Sequence, residues 1–274
     1  MAPVGPLATQ PDVAGDSWAD AEAYERFIGR WSRPVADRFL AWLGVRPGAT
    51  WVDVGSGTGA LSERILDAAA PARVLGVEPS SEFTGAARSR LAGRPVSFEV
   101  GSAEALPVPD GVADAVVFGL VINFVPDVSA ALAEARRVAR PTALVAAYLW
   151  DYADRMELLR RFWDAAVELD PAAAALDEGR RFPIATRDGL ATAWSAAGLR
   201  EVETTAIEIP TRFADFDDYW RPFTTTVAPA PGYASSLPED RRDALRERLR
   251  STLPIQADGS IELVARAWAV RGTS

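Results

Sequence analysis

The stretch Trp51-Val-Asp-Val-Gly-Ser-Gly-Thr-Gly-Ala60 decides the fold of this 274-residue chain. The apolar residues before Gly55 predict a short buried strand, and those after Gly59 have the apolar spacing of a helix. Three glycines within five residues allow positive φ values, and they let a ligand approach the backbone where the helix begins. The pattern therefore predicts a strand, a tight ligand-binding turn and a helix. A tight turn without a ligand is the less favoured alternative.

Further units of strand and helix follow this turn along the chain. The predicted strands span 73–77, 96–100, 113–119 and 142–150, and the predicted helices span 60–70, 81–91 and 127–140. Strands that alternate with helices of this length indicate βαβ units, in which both faces of a parallel sheet are covered. The sequence therefore predicts an α/β fold.

The residues outside 50–150 are expected to complete one domain that spans 19–274. The predicted parts are a flexible tail over 1–18, two N-terminal helices over 19–46 that are broken at Gly29–Pro34, a cofactor-binding core over 50–150, and substrate-capping insertions over 151–186 and 211–257. Alternation and turn residues also predict strands over 201–209 and 260–270. No internal repeat and no clean linker divides the chain into two domains.

The composition excludes several kinds of chemistry. The chain has no Cys and no His, and all 29 of its basic residues are Arg. Disulfides, thiolate nucleophiles, imidazole bases and lysine Schiff bases are therefore excluded. No cluster of ligands predicts a metal site. A net charge of −9 argues against nucleic acid and membrane surfaces as partners.

The longest nearly apolar run, 115–125, is far shorter than the roughly 20 residues of a membrane-spanning helix. The first basic residue is Arg26, so the N-terminal stretch lacks the positively charged start of a signal peptide. We therefore expect a cytoplasmic protein.

Two segments after the glycine-rich turn sharpen the prediction of a ligand. Glu78 closes the second predicted strand, 25 residues after Asp53, where a carboxylate can accept hydrogen bonds from both hydroxyls of a ribose. The loop Gly101–Pro107 follows the third strand at the same edge of the sheet. Open parallel sheets bind ligands at this edge, so the three segments are expected to meet. The turn alone also fits a dinucleotide-binding protein.

With these motifs the chain resembles class I S-adenosylmethionine-dependent methyltransferases, most closely the bacterial small-molecule branch of the UbiE/type 11 group. Four segments match motifs of that family, namely Asp53 with the glycine-rich turn, Val74–Ser80, Gly101–Pro107 and Ala113–Asp127. The segment Tyr24–Arg33 looks like the N-terminal lid helix of the family. The resemblance implies a Rossmann-like, doubly wound sheet of seven strands, mostly parallel with an antiparallel last strand. A helical lid and helical insertions would cover it.

The resemblance also implies which residues contact the cofactor. The glycine-rich turn would lie against the methionyl part, Asp53 would bind its ammonium group and Glu78 would hold the ribose. The implied set is Arg30, Asp53, Gly55, Ser56, Gly57, Gly59, Glu78, Pro79, Ser102, Ala103, Glu104 and Leu120. Ser102 departs from the family pattern, which usually has Asp there. Arg30 is a candidate for the methionyl carboxylate by position only, and a solvated charge at a helix end is the equal alternative.

Acidic and phenolic side chains near the expected site are candidates for proton transfer, which is needed only if the acceptor must lose a proton. The catalytic candidates are Tyr24, Asp151 and Tyr152, and Tyr148 is a further candidate. For each of them, packing or capping is the favoured alternative.

Aromatic residues in the N-terminal helices and the insertions suit an apolar or aromatic small molecule, or a cation bound over their rings. The predicted substrate pocket comprises Phe27, Trp31, Asn123, Phe124, Trp150, Phe213 and Trp220. Most aromatic residues of the insertions are expected simply to pack the insertions onto the sheet.

The predicted function is methyl transfer from S-adenosylmethionine to a small organic acceptor in bacterial secondary metabolism, driven mainly by proximity and orientation. Two alternatives stay open. One is a protein that binds S-adenosylmethionine without transferring the methyl group. The other is an NAD(P)-dependent oxidoreductase, which the absence of a Tyr-x-x-x-Lys pair disfavours. The sequence leaves open the acceptor atom, the use of a general base and the oligomeric state.

Overall fold

The computed structural model describes residues 25–225 and 228–274. Tyr24 and the tail predicted over 1–18 lie outside the described residues. Within the described ranges the chain forms a seven-stranded sheet with helices packed on its faces, as the sequence predicts. None of the described helices is long and apolar enough to cross a membrane.

The sheet has the order β3-β2-β1-β4-β5-β7-β6. Its strands are β1 Thr50–Val54, β2 Arg73–Glu78, β3 Val96–Val100, β4 Ala113–Gly119, β5 Ala139–Trp150, β6 Arg200–Phe213 and β7 Ile261–Thr273. The first five pair in parallel, and β7 pairs antiparallel with both β5 and β6. This confirms the doubly wound sheet with an antiparallel last strand. The strand order reverses between β1 and β4, where such sheets bind ligands.

The α-helices follow the predicted alternation in the first half of the chain and form the insertions in the second. They are α1 Arg30–Leu43, α2 Ala60–Ala68, α3 Ser81–Arg90, α4 Val128–Val138, α5 Glu157–Leu169, α6 Glu178–Arg181, α7 Arg187–Ala196, α8 Phe216–Trp220, α9 Pro229–Ser236 and α10 Glu239–Thr252. Single 3₁₀ turns cover Ile122–Phe124, Pro171–Ala175 and Arg221–Thr224.

The centre of the sheet forms the core because most residues of its strands are apolar and buried. Val52, Val116, Val117, Phe118 and Val145 are completely buried. β-branched and aromatic residues suit a strand whose two faces are both covered. The three strands β1, β4 and β5 therefore form a rigid base from which the loops at their carboxyl ends project.

The predicted break at Gly29–Pro34 is a change of winding rather than an interruption. Glu25–Gly29 is a π-helix, and α1 continues from it through Pro34. Proline lacks the N–H that would bond the carbonyl four residues earlier, so it favours a local change in helical winding. The expectation of two separate helices is wrong for the described residues.

The helix predicted over 127–140 ends earlier than expected, and β5 begins at Ala139 rather than at 142. Pro141 is tolerated because it lies near the start of the strand, where a proline breaks few ladder hydrogen bonds. The pairing of β4 with β5 shifts register between Ala113 and Ala115, which accommodates the irregular residues that follow Ala139.

The insertions pack through their aromatic residues. Phe162 of α5 stacks on Phe223, with ring centroids 4.4 Å apart, and Tyr219 lies 5.6 Å from Phe223. The Tyr219 hydroxyl donates to the carbonyl of Leu158 at 3.0 Å. The strand β6 runs to Phe213, so the insertion predicted over 211–257 begins only after that residue.

Candidate active site

A cavity of about 510 Å³ lies at the carboxyl ends of strands β1, β2, β4 and β5. It is lined by the glycine-rich turn, by residues that follow β2, β3 and β4, by the end of β5, and by Ile28 and Ser32 from the N-terminal helical segment. A volume of several hundred Å³ suits a small ligand. The cavity also lies where the strand order reverses, so its position and size both favour a binding site.

The lining divides into two sides by the strands that support it. The β2 side comprises the lining residues at the ends of β1 and β2 and those that follow β1, β2 and β3. The β5 side comprises the lining residues of the N-terminal helical segment, of the end of β4 and the loop after it, and of β5 and its end.

On the β2 side, the glycine-rich turn is held by backbone hydrogen bonds. The amides of Gly55 and Ser56 donate to the carbonyl of Val77 at 2.8 and 3.1 Å, and Gly55 has a φ of +69°. A Cβ atom on Gly55 would lie 2.4 Å from Cγ2 of Val121, whereas one on Gly57 would meet no protein atom within 4 Å. Gly55 is therefore required for packing, and Gly57 leaves open space at the cavity wall.

Glu78 is fixed by two backbone amides. Its Oε2 accepts from the amide of Gly57 at 3.0 Å, and its Oε1 accepts from the amide of Ser80 at 3.0 Å. Burial raises the pKa of Glu78 above its ordinary value, which these two hydrogen bonds partly oppose. Because a carboxylate offers about four acceptor positions, two positions remain for donors on a ligand.

Asp53 is buried at the end of β1 with only half of its carboxylate paired. Its Oδ2 accepts from the hydroxyl of Ser62 at 2.7 Å, and its Oδ1 has no hydrogen-bond partner within the described residues. Burial raises the pKa of Asp53 to about 7. A buried carboxylate without a nearby cation is costly, so this group is suited to a cationic group brought by a ligand.

Four lining residues have a buried polar atom that finds no partner in the described part of the chain. The atoms are Ser32 Oγ, Asp53 Oδ1, Ser56 Oγ and Trp150 Nε1. Buried polar groups are normally hydrogen-bonded in native proteins. Their concentration around one cavity indicates that a polar ligand completes the site.

The loop after β3 is stabilised by hydrogen bonds of its own side chains. The hydroxyl of Ser102 donates to Oε2 of Glu104 and accepts from the Glu104 amide at 3.2 Å. The other carboxylate oxygen of Glu104 accepts from the amide of Asp127 at 3.4 Å, next to the start of α4. Ser102, Ala103 and Glu104 all line the cavity. At the position where the resemblance predicts Asp, a hydroxyl thus shapes the loop.

Arg137 holds the residues that follow Glu104 in this loop. The sequence alone does not predict this role. Its guanidinium donates to the carbonyls of Leu106 and Val108 at 3.0 and 2.9 Å, and to Glu134 at 2.7 Å. The Arg137 guanidinium holds the pKa of Glu134 below its ordinary value. The spacing of Glu134 and Arg137 on one helix face was the available signal.

The β5 side is mainly apolar and aromatic. Leu120 has a φ of +60°, and its amide donates to the carbonyl of Tyr148 at 2.9 Å. A left-handed leucine is strained, and such strain concentrates at functional sites. Phe124 lies edge-on to Phe182, with ring centroids 5.1 Å apart. Trp150 completes this wall from the end of β5.

The structure brings most of the predicted site residues together. Those that line the cavity are Asp53, Gly55, Ser56, Gly57, Glu78, Pro79, Ser102, Ala103, Glu104, Leu120, Phe124, Trp150 and Tyr152. Those that lie outside its lining are Phe27, Arg30, Trp31, Gly59, Asn123, Asp151, Phe213 and Trp220. The role of each lining residue toward a ligand stays a prediction.

The N-terminal segment presents a different helical face from the one predicted. Phe27 packs on Phe223 at 5.6 Å and Trp31 packs on Phe213 at 5.8 Å, while the cavity is lined by Ile28 and Ser32, one position later. The large rings are buried among the aromatic residues of the insertion. The available signal was the apolar stripe of α1, because the lining residues continue its core-facing spacing.

Arg30 lies outside the lining of the cavity, and its predicted contact with the cofactor stays a prediction. Its guanidinium lies 4.7 Å from the ring centroids of both Trp31 and Phe213, and it donates to Asp218 at 3.0 Å. Opposite charge and two aromatic faces stabilise it there. Trp220 also lies outside the lining, and its ring centroid is 6.1 Å from that of Phe223.

Asp151 is occupied by a structural ion pair rather than facing the cavity. Its Oδ2 accepts from Nε of Arg266 at 2.7 Å, and its carbonyl accepts from the amide of Met156 at 2.9 Å. Gly59 likewise has a packing role, because Phe98 lies 3.2 Å from the position of a Cβ there. Asn123 is buried behind the lining, and its amide atoms have no partner within the described residues.

Phe83, Val121 and Tyr148 are among the lining residues that the sequence does not predict for the pocket. Phe83 stands in the first turn of α3, Val121 follows Leu120, and Tyr148 is a candidate only for proton transfer. Sequence gave no signal for Val121 beyond its place after β4. Among the residues that the structure describes, no group of three or more acidic side chains is placed to hold a metal ion.

Comparisons with known proteins agree with this geometry. A family model described as a methyltransferase domain matches residues 52–147. The chain is 36% identical over 190 residues to a malonyl-[acyl-carrier protein] O-methyltransferase of Geobacter sulfurreducens, which covers 68% of this chain and 67% of that protein. It is 37% identical over 136 residues to the ubiquinone/menaquinone biosynthesis C-methyltransferase UbiE of Methylobacterium nodulans, covering 47% of this chain and 53% of the relative. The match to UbiE thus spans about half of each chain.

The fold is also similar to that of solved structures. A phosphoethanolamine N-methyltransferase 2 of Haemonchus contortus, solved in complex with S-adenosyl-L-methionine, superposes with a TM-score of 0.56 at 14% identity. The likeness covers 92% of this chain and 56% of that one. At this identity, the likeness concerns the fold alone.

Proposed function

We propose, from the premise that this chain belongs to the class I S-adenosylmethionine-dependent methyltransferases, that its cavity binds S-adenosylmethionine on the β2 side and a small organic acceptor on the β5 side. The observation that carries the proposal is the pair of buried carboxylates in one cavity. Asp53 has an unpaired oxygen, and Glu78 has free acceptor positions beside a glycine-rich turn.

The residues of the β2 side fit the parts of this cofactor. The unpaired Oδ1 of Asp53 suits an ammonium group, and the carboxylate of Glu78 suits the two hydroxyls of a ribose. The open space at Gly57 leaves room for a ligand against the backbone. Ser102 to Glu104 would frame the base. When bound, S-adenosylmethionine supplies an activated methyl group that is attached to a sulfonium.

The residues of the β5 side would position the acceptor and exclude water. Leu120, Phe124 and Trp150 form an apolar wall beside the loop after β4. Holding two reactants in line can contribute as much as about 7–11 kcal/mol to a rate enhancement. The chain has no His, and the β5 side has no carboxylate among its described lining residues. Orientation is therefore proposed as the main contribution of this side, on which Tyr148 and Tyr152 are the lining residues that carry a phenolic hydroxyl.

Calorimetric titration with S-adenosylhomocysteine, the product form of the cofactor, tests this function, with NAD and NADP as parallel titrations. We expect micromolar binding of S-adenosylhomocysteine and no binding of the two dinucleotides. Binding of NAD or NADP alone would contradict the proposal and favour the oxidoreductase alternative. Release of S-adenosylhomocysteine from S-adenosylmethionine in the presence of an acceptor then separates a methyltransferase from a protein that only binds the cofactor.

A further inference from the structure

The charged residues in the lining of the cavity all have the same sign. They are Asp53, Glu78 and Glu104, and no Arg stands among the described lining residues. Residues 1–24 and 226–227, which the structure does not describe, contain no Arg, Lys or His. An anionic group on an acceptor would therefore face three carboxylates and no lining cation, whereas the carboxylate of S-adenosylmethionine is balanced by the ammonium group of the same molecule.

The cations nearest in sequence to the lining are Arg26, Arg30 and Arg33. Arg33 directly follows a lining residue and pairs with Glu63 at 3.3 Å. Arg30 donates through Nη1 to Asp218 at 3.0 Å and is enclosed by two aromatic rings outside the lining, while its Nε and Nη2 have no partner within the described residues. The side chain of Arg26 lies outside the described part of the chain, so the experiment includes a variant of this residue. Burying an anion without a paired cation is strongly unfavourable.

Two polar atoms of the β5 side are free to recognise an acceptor. Nε1 of Trp150 and Oγ of Ser32 are buried and have no partner within the described residues. Both residues line the cavity. An indole N–H can only donate, so Trp150 requires a lone pair on the ligand, whereas a hydroxyl can donate or accept.

We propose that the acceptor is an uncharged aromatic molecule that presents a hydrogen-bond-accepting oxygen to Trp150, and that the cavity rejects acceptors carrying a carboxylate or phosphate group. The aromatic side chains of Trp150 and Phe124 in the lining suit an aromatic ring. The absence of a described lining cation accounts for the rejection of anions. This inference rests on the proposed function and specifies its substrate class.

Three para-substituted phenols of similar size test the inference on protein saturated with S-adenosylhomocysteine. They are 4-hydroxyacetophenone, which has a neutral carbonyl, 4-hydroxybenzoate, which has a carboxylate, and 4-ethylphenol, which has neither. Affinities are measured by calorimetry or by ligand-observed NMR. We expect the ketone to bind at least about tenfold more tightly than the carboxylate and several-fold more tightly than 4-ethylphenol.

Matched variants locate the selectivity. Trp150→Phe should reduce affinity for the ketone to that for 4-ethylphenol, whereas Trp268→Phe, a half-buried tryptophan outside the lining, should leave the difference unchanged. Phe124→Arg adds a cation to the lining and should raise affinity for 4-hydroxybenzoate about tenfold. Arg26→Gln should change none of the three affinities. Retained binding of S-adenosylhomocysteine shows that each variant is folded.

Several results would overturn the inference. They are equal binding of the ketone and the carboxylate, no binding of any of the three phenols, an unchanged preference in Trp150→Phe, and loss of carboxylate binding in Arg26→Gln. Failure of the wild-type protein to bind S-adenosylhomocysteine would instead contradict the proposed function. The two failures are therefore distinguished by the first titration.

Discussion

The two sides of the cavity are built in different ways. The β2 side takes its shape from backbone groups and two carboxylates, such as the amides of Gly57 and Ser80 that hold Glu78. The β5 side is assembled from side chains that are distant in sequence, such as Ser32, Phe124 and Trp150. The comparison teaches that local backbone geometry can specify one side of a binding cavity, whereas the other side depends on how separate elements pack.

The largest expected effect concerns the place where the two sides touch. Gly55→Ala would place a Cβ 2.4 Å from Val121 at a φ of +69°, and we expect the free energy of unfolding to fall by roughly 3 kcal/mol. Gly57→Ala is the matched control. It has a φ of +53° but no protein atom within 4 Å of the new Cβ, so only about 1 kcal/mol should be lost.

Urea denaturation measures both variants. Val121→Ala added to Gly55→Ala should recover part of the loss, because it removes the methyl groups that the new Cβ meets. Equal destabilisation by Gly55→Ala and Gly57→Ala would show that the contact between the two sides does not constrain the turn.

The next effect is confined to the β2 side. Asp53→Asn should weaken binding of S-adenosylhomocysteine by about 100-fold, or ~2.7 kcal/mol, because a neutral amide replaces the buried partner of an ammonium group. The amide oxygen can still accept from Ser62, so the fold should persist. Asp188→Asn, an exposed acid in the first turn of α7, is the control. Affinity within threefold of the wild type in Asp53→Asn would remove Asp53 from the site.

The same carboxylate predicts a pH dependence. Because the pKa of Asp53 is raised to about 7, the group is mostly protonated below that pH, and binding an ammonium group must then release the proton. The affinity for S-adenosylhomocysteine should therefore fall with decreasing pH, by roughly thirtyfold between pH 8 and pH 5.5. Titrations at both pH values check this. Asp53→Asn should lose this dependence, and a flat profile in the wild type would contradict it.

A smaller effect is expected at the ribose position. Glu78→Gln should weaken binding of S-adenosylhomocysteine about tenfold, because the amide offers one acceptor oxygen and turns an N–H donor toward the amide of Gly57 or Ser80. The control is Glu82→Gln, an exposed acid in the first turn of α3. Calorimetry measures both, and equal affinities would exclude Glu78 from ribose binding.

The smallest effect compares one phenylalanine from each side. Phe83→Leu on the β2 side should weaken binding of S-adenosylhomocysteine about threefold through lost aromatic packing. Phe124→Leu on the β5 side should change it by less than twofold and instead lower turnover of an acceptor. Reversal of this order would show that the cofactor extends across the β5 side.

The sequence predicted the β2 side well because its information is local. Asp53, Gly55, Gly57 and Glu78 stand in or beside strands whose order and direction follow from the βαβ pattern, and all four line the cavity. Gly59 is the exception. A Cβ atom on this residue would lie 3.2 Å from Phe98, so the glycine serves packing rather than a ligand contact. A glycine pattern indicates that a side chain is absent but not what occupies the space.

The β5 side was predicted less accurately for two reasons. The face that a helix turns toward the cavity depends on its rotation about its own axis, and a side chain near the cavity can form a hydrogen bond or ion pair elsewhere. In the N-terminal segment, Ile28 and Ser32 line the cavity, one position after the predicted Phe27 and Trp31. Asp151 forms an ion pair with Arg266, a residue 115 positions away in the sequence. The bacterial secondary-metabolic setting and cytoplasmic location stay predictions.

The sequence by itself determined the fold class, the order of strands and helices through β5 and the excluded chemistries, because each follows from local spacing or from composition. The cofactor was implied by the resemblance of its motifs to a known family, since the glycine-rich turn alone also fits a dinucleotide. The tertiary structure decided which aromatic residues face the cavity and which pack the insertions. It also showed that Arg30 and Asp151 have partners of their own, and that the described lining lacks a cation. These features depend on contacts between elements far apart in the chain, which no local pattern encodes.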